Sequence, residues 1–456
     1  MNIDLSPDQV SAYAQLLEFA NKFYRDSDLL TMGGYAGAGK TTLLSLFARE
    51  FEGLAAYSAY TGRASSVLAR KLRENNIRTT NKTLLSGIYT ARTPLSANAA
   101  KVGYRACDPE AQLGFAGTIH RLLYRPIIDE RTEELKGWEK RQHLDRHYKL
   151  IIVDEASMVS DEILADLQAH SVPILAVGDH GQLAPVRATS NLMQSPDIRL
   201  EQIHRQAAKS PIILLSKIIR MGGLMRDIGA MSGDAIRFER KAEVERVLEE
   251  LYTTPTGAPT RAVTKGEDIL DVALDAVIAE RDLGNKAILC WTNRMRIKLN
   301  AHARRIMGFK GAPKLGEQLI CLRNKPPIYN GMRGVLTTDL EPTGVPWKMR
   351  GQIAFPEEGI GPHAVEFNIS QFNRERTFAS LPELHELGIN VSRMADAGDL
   401  YDFGYACTVH KYQGSQAAHV VFYPDRPEEP ESDDWRRFAY TAVTRASERL
   451  TVMKSS

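Results

Sequence analysis

From Gly34 to Thr41 the chain reads G-Y-A-G-A-G-K-T, the spacing G-x-x-x-x-G-K-S/T of a phosphate-cradling loop. Glycines in such a loop let backbone N–H groups turn inward around phosphate oxygens, and the helix that follows adds positive potential from its N-terminus. Lys40 is the residue expected to reach the β- and γ-phosphates, and Thr41 the one whose hydroxyl would ligate Mg2+. Gly34, Tyr35, Ala36, Gly37, Ala38, Gly39 and Thr42 complete the expected cradle. This chemistry needs an acid at the end of another strand. IIVDEAS supplies Asp154, expected on Mg2+ directly or through water, and Glu155, expected to orient or deprotonate the attacking water. Together these residues predict a protein that uses ATP and Mg2+. They do not separate a motor from a small-molecule kinase.

The elements that would aim these groups follow from the hydrophobic pattern. DLLTMGG reads as a buried strand ending at glycine and TTLLSLFAREF as the helix after the loop. Residues 5–23 have helical spacing, with Ser6 as N-cap and Pro7 at the first helical position. The plan of apolar strand, small-residue turn and helix repeats over 54–72, and KLIIVDEASMVS and PILAVGDHGQLAPV add two more apolar strands. Such strands suit a parallel sheet covered on both faces, so 1–200 is predicted as one doubly wound α/β domain. Residues 78–117, polar and Gly/Ala-rich, read as an inserted surface segment, 124–140 as a β-hairpin around a charged turn, and 253–266 as a loop. A second α/β domain is predicted over 201–314 and 403–456, interrupted at 315–402 by short alternating runs that read as a small β-barrel.

A length of 456 residues suggests two to four domains. The apolar share of 43% and charged share of 25% fit a soluble globular protein. A net charge of +2 neither demands nor excludes a polyanionic partner, because a basic groove can hide within a neutral total. Cys107, Cys290, Cys321 and Cys407 are scattered without a C-x-x-C pair, which predicts reduced thiols in a cytosolic protein, with no zinc site and no disulfide framework. No apolar run long enough for a membrane helix and no signal peptide is apparent.

The ordered set GYAGAGKTT, YTGRAS, TIHRLL, VDEAS, GDHGQLAPV, LEQIHRQ, CWTNRMRIKLN, TVHKYQGS and YTAVTRAS resembles the motif series of superfamily 1 DNA helicases. Within that superfamily it is similar to the 5′→3′ branch of RecD-like and phage Dda-like helicases. The resemblance covers both ends of the chain and most of its middle. It implies two RecA-like domains with ATP in the cleft between them, 5′→3′ movement on single-stranded DNA, and duplex unwinding in replication, recombination or repair. Arg205 and Arg445 match the family's two arginine fingers, Gln182 the γ-phosphate sensor and Gln9 the adenine-reading glutamine. Gly414 would let the backbone approach nucleotide closely.

Thr61, Arg63, Thr118, His120, Asn293, Thr408, His410 and Lys411 match the DNA-facing motifs, whose phosphate contacts carry no sequence information. Trp291, Tyr60 and Tyr412 lie near enough in sequence to stack on bases, although core packing suits Trp291 and Tyr60 equally. The hairpin corresponds in position to a strand-separating pin, with Trp138 or Ile127 at its tip or flank, and 315–402 to an SH3-like accessory domain. The implied partners are single-stranded and forked duplex DNA, with single-strand-binding or replisome proteins as further candidates. A monomer without membrane association is expected, in a bacterial cytoplasm or that of a phage-infected host. A nucleic-acid-stimulated ATPase that acts on RNA, or that moves without unwinding, stays open because phosphate contacts look alike on DNA and RNA.

Overall fold

Apolar runs that end in glycine or an acid fold as parallel strands whose carboxyl ends carry the candidate chemistry. A computed structural model describes the chain except residues 1–4, 22–27, 82–112, 129–134, 146, 185–190, 203–209, 224, 226–234, 254–284, 326–327, 357–359 and 455–456. Two units, Met1–Ala208 and Lys209–Ser456, are each compact.

The first unit runs α1 (Pro7–Asn21), β1 (Leu29–Gly34), α2 (Lys40–Arg49), β2 (Ala55–Ala59), α3 (Gly62–Glu74), β3 (Thr79–Thr80), β4 (Gly114–Thr118) and α4 (Ile119–Leu123). It continues through β5 (Tyr124–Ile128), β6 (Leu135–Lys140), β7 (Leu150–Asp154), α5 (Asp161–Gln168), β8 (Ile174–Gly178) and β9 (Ile198–Leu200). The main sheet has the order β3-β4-β2-β7-β8-β1-β9, and all its pairings are parallel. Successive residues of β7 explain its unbroken apolar run. Ile152 packs with Leu16, Leu43, Phe47 and Leu68 on the face covered by α1, α2 and α3. Ile151 and Val153 pack with Ile119, Leu122 and Ile163 on the face covered by α4 and α5. With helices on both faces neither side of the strand meets water, so no polar alternation survives. β5 and β6 pair antiparallel as a separate hairpin, with Pro126 opposite Trp138 and Ile127 opposite Gly137.

The surface insertion expected over 78–117 is narrower in the fold. Thr79–Thr80 and Gly114–Thr118 are strands of the main sheet, and 82–112 lie outside the described residues. The glycines that suggested a surface segment are needed by close packing. A Cβ on Gly114 would stand 2.9 Å from the Ala55 carbonyl oxygen, and one on Gly117 2.5 Å from the Phe115 ring. The loop expected over 253–266 falls, apart from Thr253 at the end of a helix, outside the described residues.

The second unit contains α6 (Pro211–Arg220), β10 (Ile236–Arg240), α7 (Val244–Thr253), β11 (Lys286–Cys290), α8 (Asn293–Ile306), β12 (Gln318–Cys321), β13 (Arg333–Leu336) and β14 (Glu341–Pro342). After these come β15 (Lys348–Phe355), β16 (Ile360–Asn368), α9 (Leu381–His385), β17 (Tyr401–Phe403), β18 (Ala406–Thr408), β19 (Ala417–Tyr423), α10 (Asp433–Val443) and β20 (Ala446–Lys454). A parallel sheet of order β10-β20-β19-β11-β18 is joined by an antiparallel sheet of order β14-β15-β13-β12-β17, with β16 added to β15. The antiparallel sheet returns on itself at Asp399, whose N–H donates to the Glu366 carbonyl at 2.7 Å and whose carbonyl accepts from Asn368 N–H at 2.9 Å. One core spans both sheets, with Ile288 and Leu299 packed among Leu319, Ile353 and Phe403. Two buried ion pairs tie α8 to the antiparallel sheet: Arg296 to Asp402 at 2.6 Å and Arg304 to Glu317 at 2.7 Å. Cys290, Cys321 and Cys407 are buried free thiols. Among the described residues no helix is long and apolar enough to cross a membrane.

Candidate nucleotide site and nucleic-acid faces

The loop after β1 turns through Gly37 at φ 81° and Gly39 at φ 76°, left-handed conformations that glycine adopts without steric cost. Lys40 opens α2. Its ammonium folds back to donate to the carbonyls of Gly34 at 2.5 Å and Tyr35 at 3.1 Å, and lies 4.0 Å from Asp179 Oδ2. Asp179 is only 2% exposed and directly follows β8, the strand beside β1. Gln182, also buried, donates its side-chain amide to the same carboxylate at 3.4 Å. Asp179 was not singled out by spacing, although a strand-end acid beside the loop strand is a readable signal.

Gln9 connects α1 to the loop. Its Oε1 accepts from the Ser6 N–H at 3.1 Å, the reciprocal half of a capping box, and its Nε2 donates to the Ala38 carbonyl at 3.2 Å.

Asp154 ends β7, and Glu155 N–H donates to its Oδ1 at 2.9 Å. Burial pushes the Asp154 carboxyl up; the Glu155 N–H and the positive charges of Lys71 and Lys40 oppose that rise. Glu155 itself has φ 53°, a left-handed conformation uncommon for any residue but glycine and a feature that clusters at functional sites. The Lys71 ammonium, from α3, donates to Thr41 Oγ1 at 3.3 Å. The Thr41 hydroxyl and the Asp154 carboxylate are hard oxygens of the kind suited to Mg2+. Thus the first unit brings Gln9, Lys40, Thr41, Asp154, Glu155 and Gln182 to the carboxyl ends of its sheet, where open α/β sheets bind ligands. Sequence spacing gave no sign of Lys71.

Thr61 and Thr118 stand at the carboxyl ends of the adjacent strands β2 and β4, where Ala59 pairs with Thr118. Both act as N-caps: Thr61 accepts from Ala64 N–H at 3.1 Å and Thr118 from Arg121 N–H at 3.2 Å. Arg63 lies in the first turn of α3, and its side chain is outside the described residues. His120 sits between the rings of Tyr60 and Tyr124, at centroid distances of 6.1 and 5.6 Å, and burial lowers its pKa so that the ring is neutral at physiological pH.

In the second unit Trp291 packs edge-on against Phe438 at 4.6 Å, lies 5.2 Å from His410, and carries the Arg426 guanidinium 4.6 Å from its ring centre. Asp425 accepts from the Trp291 N–H at 2.5 Å. Asn293 is exposed at the start of α8, which Thr292 caps. Burial lowers the pKa of His410 and of Lys411, and the neighbouring Arg296 lowers that of Lys411 further. Thr408 is buried and accepts from Lys411 N–H at 3.4 Å.

Tyr412, one of the three aromatics near enough in sequence to stack on bases, is a core residue at 2% exposure. Its hydroxyl accepts from Arg333 at 2.9 Å and donates to the Gln416 carbonyl at 3.3 Å, so the ring is held inside the protein. Arg445 follows α10 and is also buried. It donates to the carbonyls of Thr441 at 3.1 Å and Ser415 at 3.2 Å and to Thr444 Oγ1 at 3.2 Å. These bonds bring it to the turn that carries Gly414 at φ 71°. Arg205 lies outside the described residues.

Residues 4–234 match the family of AAA domains, and residues 403–453 match the UvrD-like helicase C-terminal domain. The chain is 28% identical over 350 residues to the ATP-dependent RecD2 DNA helicase of Deinococcus radiodurans, across 74% of this chain and 39% of that protein. It therefore spans less than half the length of that relative. It is also similar to the crystal structure of Pif1 helicase from Bacteroides in complex with ADP-AlF3 and ssDNA, at 14% identity and TM-score 0.49, over 99% of this chain and 92% of that one. A second similar structure is Pif1 helicase from Candida albicans, at 16% identity and TM-score 0.44, over 100% of this chain and 95% of that one. The AAA-domain match spans half of the chain and includes Lys40, Thr41, Asp154 and Glu155. The chain belongs to the AAA-domain family.

Proposed function

We propose that the chain is an ATP-dependent DNA helicase that moves 5′→3′ on single-stranded DNA and unwinds duplex DNA in replication, recombination or repair. The observation that carries this reading is the convergence of Lys40, Thr41, Asp154 and Glu155 at one end of a parallel sheet, in a chain that also matches a helicase C-terminal domain.

In this reading Lys40 leaves the Gly34 and Tyr35 carbonyls to meet the β- and γ-phosphates, and the loop N–H groups hold their oxygens. Thr41 and Asp154 would hold Mg2+, which would supply Lewis-acid neutralisation of phosphate charge. Glu155 orients the attacking water, with its backbone fixed beside Asp154. Gln182 reports phosphate occupancy through the Asp179 carboxylate that it shares with Lys40. Arg205 and Arg445 act as arginine fingers on the transferring phosphoryl group, and Gly414 gives backbone access to nucleotide.

In the first unit Thr61, Arg63, Thr118 and His120 would meet the DNA backbone, and in the second Trp291, Asn293, Thr408, His410 and Lys411. Neutral His120 and His410 would hydrogen-bond without adding charge. The hairpin presents Ile127 and Trp138, 43% and 40% exposed, as an apolar wedge at the fork, and the antiparallel region over 315–402 serves as an SH3-like accessory domain. The test is ATP turnover with and without single-stranded DNA or RNA. DNA should raise turnover at least about tenfold, and Lys40→Ala should abolish it. Lack of stimulation would contradict the motor reading, and equal stimulation by RNA would move the substrate to RNA.

A further inference from the structure

We propose that Lys71 is a tethered counter-cation that occupies Thr41 Oγ1 and has to be displaced before Mg2+ enters with nucleotide. The inference rests on the phosphate-loop reading of the first unit.

Lys71 comes from the last turn of α3 and donates to Thr41 Oγ1, the oxygen expected on the metal. A hydroxyl that accepts from an ammonium uses lone-pair density that a metal ion would otherwise take. The other lysine near Asp154 is engaged elsewhere. Lys40 is bound by two loop carbonyls and faces Asp179. That leaves Lys71 as the cation at Thr41 Oγ1. An ammonium sits about 2.8–3.3 Å from an oxygen partner, whereas Mg2+ needs its oxygens at about 2.0–2.1 Å. Both cations cannot share Thr41 Oγ1 at those distances without strong repulsion. Entry of the metal therefore requires the long, flexible Lys71 side chain to swing away.

The proposal predicts that removing the Lys71 charge tightens metal binding. With ADP saturating, Mn2+ affinity read by electron paramagnetic resonance should rise about tenfold in Lys71→Met and in Lys71→Gln, the effect of removing one partly screened like charge nearby. Lys71→Arg, which keeps the charge, should stay within about threefold of wild type. Unchanged or weaker Mn2+ binding in the two neutral variants overturns the proposal; weaker binding would make Lys71 a phosphate ligand instead. Wild-type protein gives a second reading that needs no variant. Acetylation of Lys71 by an amine-reactive ester, followed by peptide mass spectrometry, should increase severalfold on adding Mg2+ and ADP together, and unchanged labelling overturns the proposal. ADP affinity is measured in the same samples. If wild type binds no ADP, the phosphate-loop reading itself fails. If ADP binds and Mn2+ is indifferent to Lys71, only this inference fails.

Discussion

Glu155 holds a backbone conformation that its own side chain disfavours. Its φ of 53° places it in the left-handed region, at a cost of about 1 kcal/mol, and the short turn over Ala156–Met158 together with the Asp154 carboxylate keeps it there. Glycine would adopt the same geometry freely. Glu155→Gly is therefore expected to raise stability in urea unfolding by about 0.5–1 kcal/mol while ATP turnover disappears. Glu155→Gln should retain ADP binding and lose about 100-fold or more in turnover. A Glu155→Gly variant that is less stable than wild type would show that the left-handed turn carries no strain. Lys40, Thr41, Asp154 and Glu155 were legible from spacing because a strand–loop–helix junction fixes their positions within a few residues. Lys71 was not, because Thr41 lies 30 residues away and nothing in their spacing joins them; Asp179 was legible only as a strand-end acid, not as the partner of Lys40. The burial of Tyr412 was not legible for the same reason: its hydroxyl is held by Arg333, a residue distant in the sequence.

The elements of the second unit depend on two buried charges of α8. Arg304 donates to both oxygens of Glu317, at 2.7 and 3.0 Å, and its guanidinium lies 3.9 Å from the centre of the Phe403 ring. Removing one member leaves the other buried without its counter-ion. Arg304→Met should cost about 3–5 kcal/mol in urea unfolding, and adding Glu317→Leu should recover most of that loss.

Strands β19 and β20 carry a pH-dependent contribution. The His419 ring bonds Thr451 Oγ1 at 2.9 Å, and burial, with Arg449, Lys286 and Arg237 adding to it, lowers its pKa from 6.5 to about 4. Below pH 6.5 the unfolded chain takes up a proton at this site that the folded chain does not. Stability from this site is thus complete above the unfolded value and is lost as pH falls from 6.5 towards 4. Unfolding at stepped pH should show that slope in wild type and a shallower one in His419→Gln. The apolar strands and the helices after them were readable because covered faces leave long uninterrupted runs. The ends of the 78–117 segment were not, because Gly114 and Gly117 are strand residues chosen for close packing.

At the scale of the whole molecule, two units each contain a parallel sheet, and only the first carries the glycine loop. The near-neutral net charge gave no indication of a nucleic-acid partner. That indication lay in the order of short motifs, which composition does not report. The most direct measurement of the central claim compares unwinding of a DNA duplex bearing a 5′ single-stranded tail with one bearing a 3′ tail, in Mg2+ and ATP, for wild type and Lys40→Ala. The account predicts that wild type separates the 5′-tailed duplex, leaves the 3′-tailed one paired, and loses the activity in Lys40→Ala. Strand separation that persists in Lys40→Ala, or that never occurs with the 5′ tail, would contradict it.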